Sequence, residues 1–345
     1  MFDLSTITEV RDAPTTSSGM SDHELCPRKF LFRTRAGLVT KGPDPSGIRR
    51  GDIFHQIIAH ALRGKEEAFA EGLANANTAK EIEETLATVS PAGYLENGQT
   101  PAEFVKTIAS DTKVAIAMSR AYRKFFSVGP GEIAGLEVVD GLIESEVSTV
   151  GIGSYLDIRA AGTVDVIARD PKTDEHWVLD HKTCGWDIVK YIRTLPLSSQ
   201  ALLYPLLAKL IVSYLAQPKL AGICFCVIKT PTIRCCGTDG NDIDRFATRL
   251  IKWYEDNANT VMARTFIRPG QEITKFSGKR LDTAAAACVS LPVVENFPAT
   301  GGSACQAYNS LCPFIGLCTR DTAAWPRELE RFDRDWRYEE KKKDG

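Results

Sequence analysis

The segments GTVDVI (residues 162–167) and WVLDHK (residues 177–182) decide the predicted fold. The first is rich in β-branched residues, the second begins with the apolar run Trp177-Val178-Leu179, and a short polar turn separates them, which predicts a β-hairpin. Because side chains alternate between the two faces of a strand, Asp180 and Lys182 point to the same face. The hairpin also brings Asp165 beside them. Two carboxylates and one ammonium group are therefore expected within a few ångströms of one another, in otherwise apolar strands.

Carboxylates buried side by side are unfavourable unless a cation neutralises them. A divalent metal does so, and oxygen ligands suit magnesium or manganese. Such a metal lowers the pKa of a bound water and neutralises charge on a phosphate, while Lys182 positions or activates the nucleophile. The alternative for an isolated Asp-x-Lys is a salt-bridged hairpin whose charges face solvent.

Helices predicted on both sides of the hairpin carry further polar side chains. The helix over Gly51–Leu62 contains His55, although a lone histidine is more often an ordinary core or surface residue. The helix over Ser199–Leu215 carries Gln200 and Tyr204, which lie four residues apart and therefore share a face. Both side chains are thus candidates to point towards the carboxylates.

These residues together resemble the RecB-like branch of the PD-(D/E)XK nuclease superfamily. The resemblance is carried, in chain order, by His55, Asp165, Asp180-x-Lys182 and Gln200-x-x-x-Tyr204. It implies an α/β fold with a central mixed β-sheet flanked by helices, a restriction-endonuclease-like core. It also implies a Mg²⁺- or Mn²⁺-dependent DNA nuclease, with an exonuclease acting on DNA ends or single strands as the favoured form. A non-catalytic nucleic-acid-binding module with the same fold and an RNA substrate are the alternatives.

The same resemblance implies a role for each residue of the set. The metal ligands would be His55, Asp165, Asp180 and the backbone carbonyl of His181. Lys182 would orient or deprotonate the attacking water. Gln200 and Tyr204 would support Lys182 or the scissile phosphate. Glu146, on the preceding strand, is a further candidate, with a surface position as the alternative.

Four cysteines form a second predicted site. Cys305, Cys312 and Cys318 make a C-x6-C-x5-C cluster, and Cys26 lies far upstream. This arrangement resembles the [4Fe–4S] site of AddB-type helicase–nucleases and CRISPR-associated exonucleases, and it implies an iron–sulfur cluster. Four thiolates also suit structural Zn²⁺, which is the alternative. Residues 305–318 are expected to close onto Cys26, so that the metal contributes to folding.

The whole chain, residues 1–345, is predicted to be a single nuclease domain with a helical insertion at residues 64–130. Thr100-Pro101-x-Glu103 predicts a helix start inside that insertion, and Ser21-x-x-Glu24 predicts another near the N-terminus. Pro205 predicts a bend in the helix of Tyr204. The remaining predicted elements are strands over Leu142–Val150, Leu156–Ala168 and Ile223–Ile228 and a helix over Asp242–Met262.

Charge and composition are those of an ordinary globular protein, with 43% hydrophobic and 25% charged residues and a net charge of −2. Basic residues nevertheless cluster between residues 26 and 50, and this cluster is either a solvated surface or a phosphate-binding patch. Its candidate DNA-backbone contacts are Arg28, Lys29, Arg49 and Arg50.

The expected localisation rests on motifs that the sequence lacks. No apolar run is long enough to span a membrane, and the first twenty residues do not resemble a secretion signal, so a cytoplasmic location is expected. A phosphate-binding loop of the Walker type is also missing, so ATP-driven unwinding is not predicted. The expected partner is DNA, together with recombination or replication proteins that the sequence does not identify.

Overall fold

The predicted hairpin is present in the computed structural model as two adjacent antiparallel strands. The structure describes residues 16–40, 46–87, 95, 99–152, 155–212, 219–240, 242–268, 279–280, 282–284, 286–287, 297–309, 311–319 and 325–334. The chain packs as two compact units. We call residues 42–145 and 163–268 the sheet unit, and residues 1–41, 146–162 and 269–345 the cysteine unit.

Helices and strands follow one another in runs along the described chain. The α-helices are α1 (Ser17–Leu25), α2 (Pro27–Phe30), α3 (Ser46–Leu62), α4 (Glu67–Leu86), α5 (Pro101–Phe125), α6 (Ile188–Thr194), α7 (Ser199–Val212), α8 (Ile243–Val261), α9 (Ile315–Thr319) and α10 (Trp325–Leu329). The strands are β1 (Leu38–Thr40), β2 (Glu132–Ile133), β3 (Leu136–Ile152), β4 (Tyr155–Asp170), β5 (Glu175–Cys184), β6 (Lys219–Lys229), β7 (Met262–Ile267) and β8 (Phe332–Arg334).

The main sheet has six strands in the order β2-β3-β4-β5-β6-β7. β4 and β5 are antiparallel, β5 and β6 are parallel, and β6 and β7 are antiparallel. The chain reaches β6 from β5 through α6 and α7, because parallel neighbours need a long crossover connection. The predicted mixed sheet flanked by helices is therefore confirmed.

The core of the sheet unit lies between the strands and three helices, α3, α5 and α8. Phe54, Met118, Tyr122, Leu179 and Leu250 are fully buried members of this core. Each large apolar side chain contributes about 1.5–3 kcal/mol when it is fully buried. Helix α5 supplies several of them, so this part of the predicted 64–130 insertion packs directly against the sheet.

The N-terminal helix begins earlier than predicted. α1 starts at Ser17, where the Thr16 hydroxyl accepts a hydrogen bond from the Gly19 N–H at 3.0 Å. Ser21 is therefore an interior residue, and its hydroxyl donates to the Ser17 carbonyl instead of capping a helix. The prediction of a start at Ser21 is wrong because Thr16 supplies a better-placed cap. Pro27 begins a separate helix, α2, in which a first-turn proline is tolerated.

In the cysteine unit, aromatic side chains join the N-terminal helices to the C-terminal segment. The ring centroids of Phe32 and Phe314 lie 5.7 Å apart, and those of Phe32 and Trp325 lie 5.8 Å apart. β1 pairs with β8 in a two-stranded sheet. The two ends of the described chain are thus packed together within this unit. Among the described residues, each helix is too short or too polar to cross a lipid bilayer.

Candidate metal centre

Three side chains from three different elements converge beside the central hairpin. His55 comes from α3, Glu144 from β3 and Asp165 from β4. His55 Nδ1 lies 3.4 Å from Asp165 Oδ2 and 4.0 Å from Glu144 Oε1. One potential ligand atom from each residue lies within 4.8 Å of the others. Two carboxylates and an imidazole at this spacing form a group that could hold a metal ion.

The sequence pattern did not identify Glu144. It pointed instead to Glu146, which is exposed, in agreement with the surface alternative. Simple alternation of faces fails along β3 because Glu144 itself has a φ of 52°, in the left-handed region, and Gly141 has a φ of 76°. Such irregular residues re-aim side chains along a strand. β3 also contains Glu137, Asp140 and Glu146, so its acidic residues alone do not single out Glu144.

Asp180 and Lys182 lie together on β5, as the strand pattern predicts. Lys182 Nζ is 2.5 Å from Asp180 Oδ2, and the Asp180 side chain is fully buried. The Gln200 amide donates to Asp180 Oδ1 at 3.3 Å and to the Tyr204 hydroxyl at 3.1 Å. Pro205 lies inside α7, and Gln200 and Tyr204 still share the face that meets Asp180. The structure therefore brings all four side chains into one network.

Burial sets the protonation of this centre. It raises the pKa of Asp180 to about 6, with the neighbouring Lys182 opposing the shift. It also raises the pKa of Glu144 to about 7, and the charge of Asp165 adds to that effect. Burial, aided by the charge of Lys182, lowers the pKa of His55 to about 4. The imidazole is therefore neutral at physiological pH and free to coordinate, whereas the carboxylates need a cation to remain ionised together.

Burial acts against the charged form of Lys182, but the charges of Asp180 and Asp165 outweigh it and raise its pKa above the ordinary value. The side chain is therefore an ammonium ion at neutral pH.

His181 links the centre to α5. Its backbone N–H donates to Asp165 Oδ2 at 2.8 Å. His181, which lies between Asp180 and Lys182 on β5, therefore holds the Asp165 carboxylate in place. Its ring is buried, with Nδ1 2.7 Å from the Tyr122 hydroxyl and its centroid 5.9 Å from that of His55. Tyr122 lies among the buried apolar residues of α5. Nothing in the sequence distinguishes a tyrosine that only packs from one that also contacts a neighbour of the candidate metal ligands.

The four basic residues predicted to contact DNA have protein partners. Arg49 is buried and donates to Glu81 and Asp111, and Arg50 Nε donates to Asp111 Oδ1 at 2.6 Å. In the cysteine unit, Arg28 Nε donates to the Phe297 carbonyl, and Lys29 Nζ is 2.8 Å from Asp22 Oδ1. Contact of these four residues with DNA stays a prediction, because their hydrogen bonds and ion pairs within the protein do not test it.

Cys26, Cys305, Cys312 and Cys318 all belong to the cysteine unit and are not in disulfides. The Cys312 N–H donates to the Cys305 carbonyl at 2.7 Å. Burial raises the pKa of Cys318 to about 11, opposed by Arg28 and reinforced by the charges of Cys26, Cys312 and Cys305. The four thiols are therefore close enough to interact electrostatically.

Comparison with protein families gives the class of the molecule. The model of the PD-(D/E)XK nuclease superfamily matches residues 15–319, a range that contains every residue of the centre described above. The chain therefore belongs to the PD-(D/E)XK nuclease superfamily, whose members hydrolyse phosphodiester bonds. Comparison with curated proteins gave no match.

Proposed function

We propose that the protein is a metal-dependent deoxyribonuclease of the RecB-like branch, acting as an exonuclease on DNA ends or single strands. One observation carries the proposal: the His55–Glu144–Asp165 ligand set lies next to the Asp180–Lys182 ion pair. His181 joins the two groups through its N–H bond to Asp165. This combination provides both a cation site and a fixed ammonium group at one place.

The donor set fits a divalent cation. Oxygen donors predominate, which suits Mg²⁺ or Mn²⁺, and the neutral imidazole of His55 adds a nitrogen ligand. Asp180 and the His181 carbonyl would complete the set. When bound, the metal would neutralise phosphate charge and lower the pKa of an attacking water. Burial and the charge of Asp165 raise the pKa values of Glu144 and Asp180, even though Asp180 pairs with Lys182. A bound cation would stabilise both carboxylates in their ionised forms.

Lys182 would act by position and charge rather than as a base. Because its pKa is raised, it keeps its proton at neutral pH and can donate hydrogen bonds to a water or a phosphate oxygen. Asp180 holds the ammonium group in place, and Gln200 holds Asp180 through its amide. Tyr204 in turn fixes the amide of Gln200. The Gln-x-x-x-Tyr helix would thus set the orientation of Lys182.

We propose further that Cys26, Cys305, Cys312 and Cys318 hold a [4Fe–4S] cluster. All four cysteines lie in one unit, and the charges of Cys26, Cys305 and Cys312 act on the Cys318 thiol, which supports a shared site. The order of one upstream and three C-terminal cysteines resembles that of iron–sulfur nucleases, which is the reason for proposing iron. Structural Zn²⁺, which also takes four thiolates, is the alternative.

A fluorogenic assay tests the nuclease proposal with matched DNA and RNA oligonucleotides in Mn²⁺. We expect wild-type protein to cleave DNA and Asp180→Asn to be inactive, with exposed Asp174→Asn as the matched control. An Asp180→Asn protein as active as wild type would reject catalysis at this centre and favour a binding module. Faster cleavage of RNA than of DNA would overturn the assigned substrate.

The cluster has an independent test. Anaerobically purified wild-type protein should be brown, with broad absorbance near 400 nm, and Cys26→Ser should lose the colour. Cys224→Ser, at a buried cysteine of β6 in the sheet unit, is the control and should keep it. Colourless wild-type protein with stoichiometric zinc would reject iron.

A further inference from the structure

The segment of residues 186–197, which follows β5 and contains α6, exposes large apolar side chains. Trp186 is 60% exposed, and Val189 and Leu197 are each 56% exposed. The other described tryptophans are more buried, with Trp177 at 4% and Trp325 at 3%. A solvent-exposed tryptophan in a segment with two further exposed apolar side chains is a feature of binding surfaces.

The same segment carries positive charge. Lys190 and Arg193 are exposed on α6, and neither makes an ion pair with another described residue. The one acidic residue of the segment, Asp187, uses its side chain to accept the Lys190 N–H and so caps the helix. The two cations therefore remain available to an anionic partner.

The segment lies between two parts of the candidate centre along the chain. Lys182 precedes it on β5, and Gln200 follows it on α7. Trp186 is four residues beyond Lys182, which limits their Cα separation to about 14 Å even in a fully extended chain. A polynucleotide whose phosphate lies at Lys182 can therefore reach the indole ring within a few nucleotides.

We propose that residues 186–197 bind single-stranded DNA next to the catalytic centre, with a base stacked on Trp186 and phosphates on Lys190 and Arg193. The proposal rests on the nuclease function above and names its substrate class. An aromatic face beside cations is the combination that single-strand binders use. Duplex DNA keeps its bases stacked on each other, so the ring finds a free base face only on a single strand or a frayed end.

Binding without turnover tests the surface. Labelled oligo-dT and a duplex of equal length are titrated by anisotropy in Ca²⁺, in an Asp180→Asn background. We expect Trp186→Ala to weaken oligo-dT binding about 5- to 150-fold, the range that base stacking contributes, and Trp186→Phe to restore most of it. Phe69→Ala, which removes a 52% exposed aromatic ring on α4, is the matched control and should bind normally. In the active background, Trp186→Ala should raise KM for oligo-dT and leave kcat within about twofold.

The salt dependence of oligo-dT binding measures the contribution of Lys190 and Arg193. Each phosphate contact on a single strand contributes about 0.7 to the slope of log K against log salt concentration. The double variant Lys190→Ala/Arg193→Ala should therefore make the slope shallower by about 1.4. Lys80→Ala/Lys124→Ala, at exposed lysines of α4 and α5, should leave it unchanged.

Unchanged oligo-dT affinity in Trp186→Ala, or equal losses for single strands and duplex, would overturn the proposal. Wild-type protein that binds oligo-dT through Trp186 but cleaves nothing would instead overturn the nuclease function and leave the surface standing. The two failures are therefore distinguishable.

Discussion

Lys182 is the side chain whose removal tests the electrostatic contribution to catalysis. Lys182→Met keeps the apolar stem but removes the ammonium group that Asp180 holds at 2.5 Å. We expect the cleavage rate to fall at least about 100-fold, the usual loss for one preorganised electrostatic group. The measurement is kcat on a fluorogenic DNA in Mn²⁺, with thermal unfolding to verify the fold. Lys80→Met, at an exposed lysine of α4, should behave as wild type.

Tyr122 should act through His181 on the metal ligands. Tyr122→Phe removes the hydroxyl that lies 2.7 Å from His181 Nδ1, while His181 holds Asp165 by its N–H. Groups that orient ligands typically change metal affinity about 10- to 100-fold, and we expect a loss of that size. Mn²⁺ binding followed by electron paramagnetic resonance measures it.

The matched control for Tyr122 is Tyr254→Phe. Tyr254 is also a buried tyrosine, but its hydroxyl donates to the Lys229 carbonyl at 2.8 Å and does not contact the ligand set. Wild-type Mn²⁺ affinity in Tyr122→Phe would show that the hydroxyl serves packing alone.

Residue-level prediction from sequence succeeded where local geometry is regular. The alternation of side chains along β5 was enough to place Asp180 and Lys182 together, and helical spacing placed Gln200 and Tyr204 on one face. Glu144 escaped detection because its positive φ breaks that alternation, and no composition rule signals a positive φ at a glutamate.

At the scale of elements, α3 and α5 are joined by a buried ion cluster. Asp111 of α5 is 1% exposed and accepts from Arg49 Nη1 at 3.0 Å and from Arg50 Nε at 2.6 Å. Asp111→Ala leaves the buried Arg49 with Glu81 as its remaining side-chain partner among the described residues. We expect the free energy of unfolding to fall by about 3–5 kcal/mol, as when one side of a buried pair is removed. Urea denaturation measures the loss.

Glu255→Ala is the control for Asp111→Ala. It breaks the exposed pair with Lys124 and should cost at most about 1 kcal/mol. A similar small loss in Asp111→Ala would mean that the cluster does not stabilise the contact between α3 and α5.

Long elements with local signals were predictable. The Thr100–Glu103 capping box begins α5 as expected, and β5 and β6 contain the predicted apolar runs. The short strands β1, β7 and β8 were not predicted, because three to six residues carry little periodicity and their pairing depends on distant parts of the chain. Helix α3 starts at Ser46, earlier than the predicted Gly51, because the sequence signals at the ends of helices are weak.

At the scale of the whole molecule, acid should destabilise the protein through Glu175. Its hydrogen bonds with Arg268 and Lys219 lower its pKa to about 2. A lowered carboxylate pKa contributes stability above the unfolded value of about 4.5 and loses it as the pH falls towards 2. Glu175→Gln should therefore lower the melting temperature near pH 7, and the gap to wild type should close between about pH 4.5 and pH 2.

Circular dichroism melts across that pH range measure the effect, with exposed Glu84→Gln as the control. A gap that stays constant with pH would mean that the Glu175 charge does not contribute.

The most direct measurement of the central claim is digestion of end-labelled single- and double-stranded DNA by the wild-type protein. It is run in Mg²⁺, in Mn²⁺ and in EDTA, with Asp180→Asn in parallel. We predict metal-dependent shortening from the ends, fastest on single strands, that EDTA and Asp180→Asn both abolish. Intact DNA in both metals, or equal cleavage by Asp180→Asn, would contradict the assignment of a catalytic metal centre to His55, Glu144, Asp165 and Asp180.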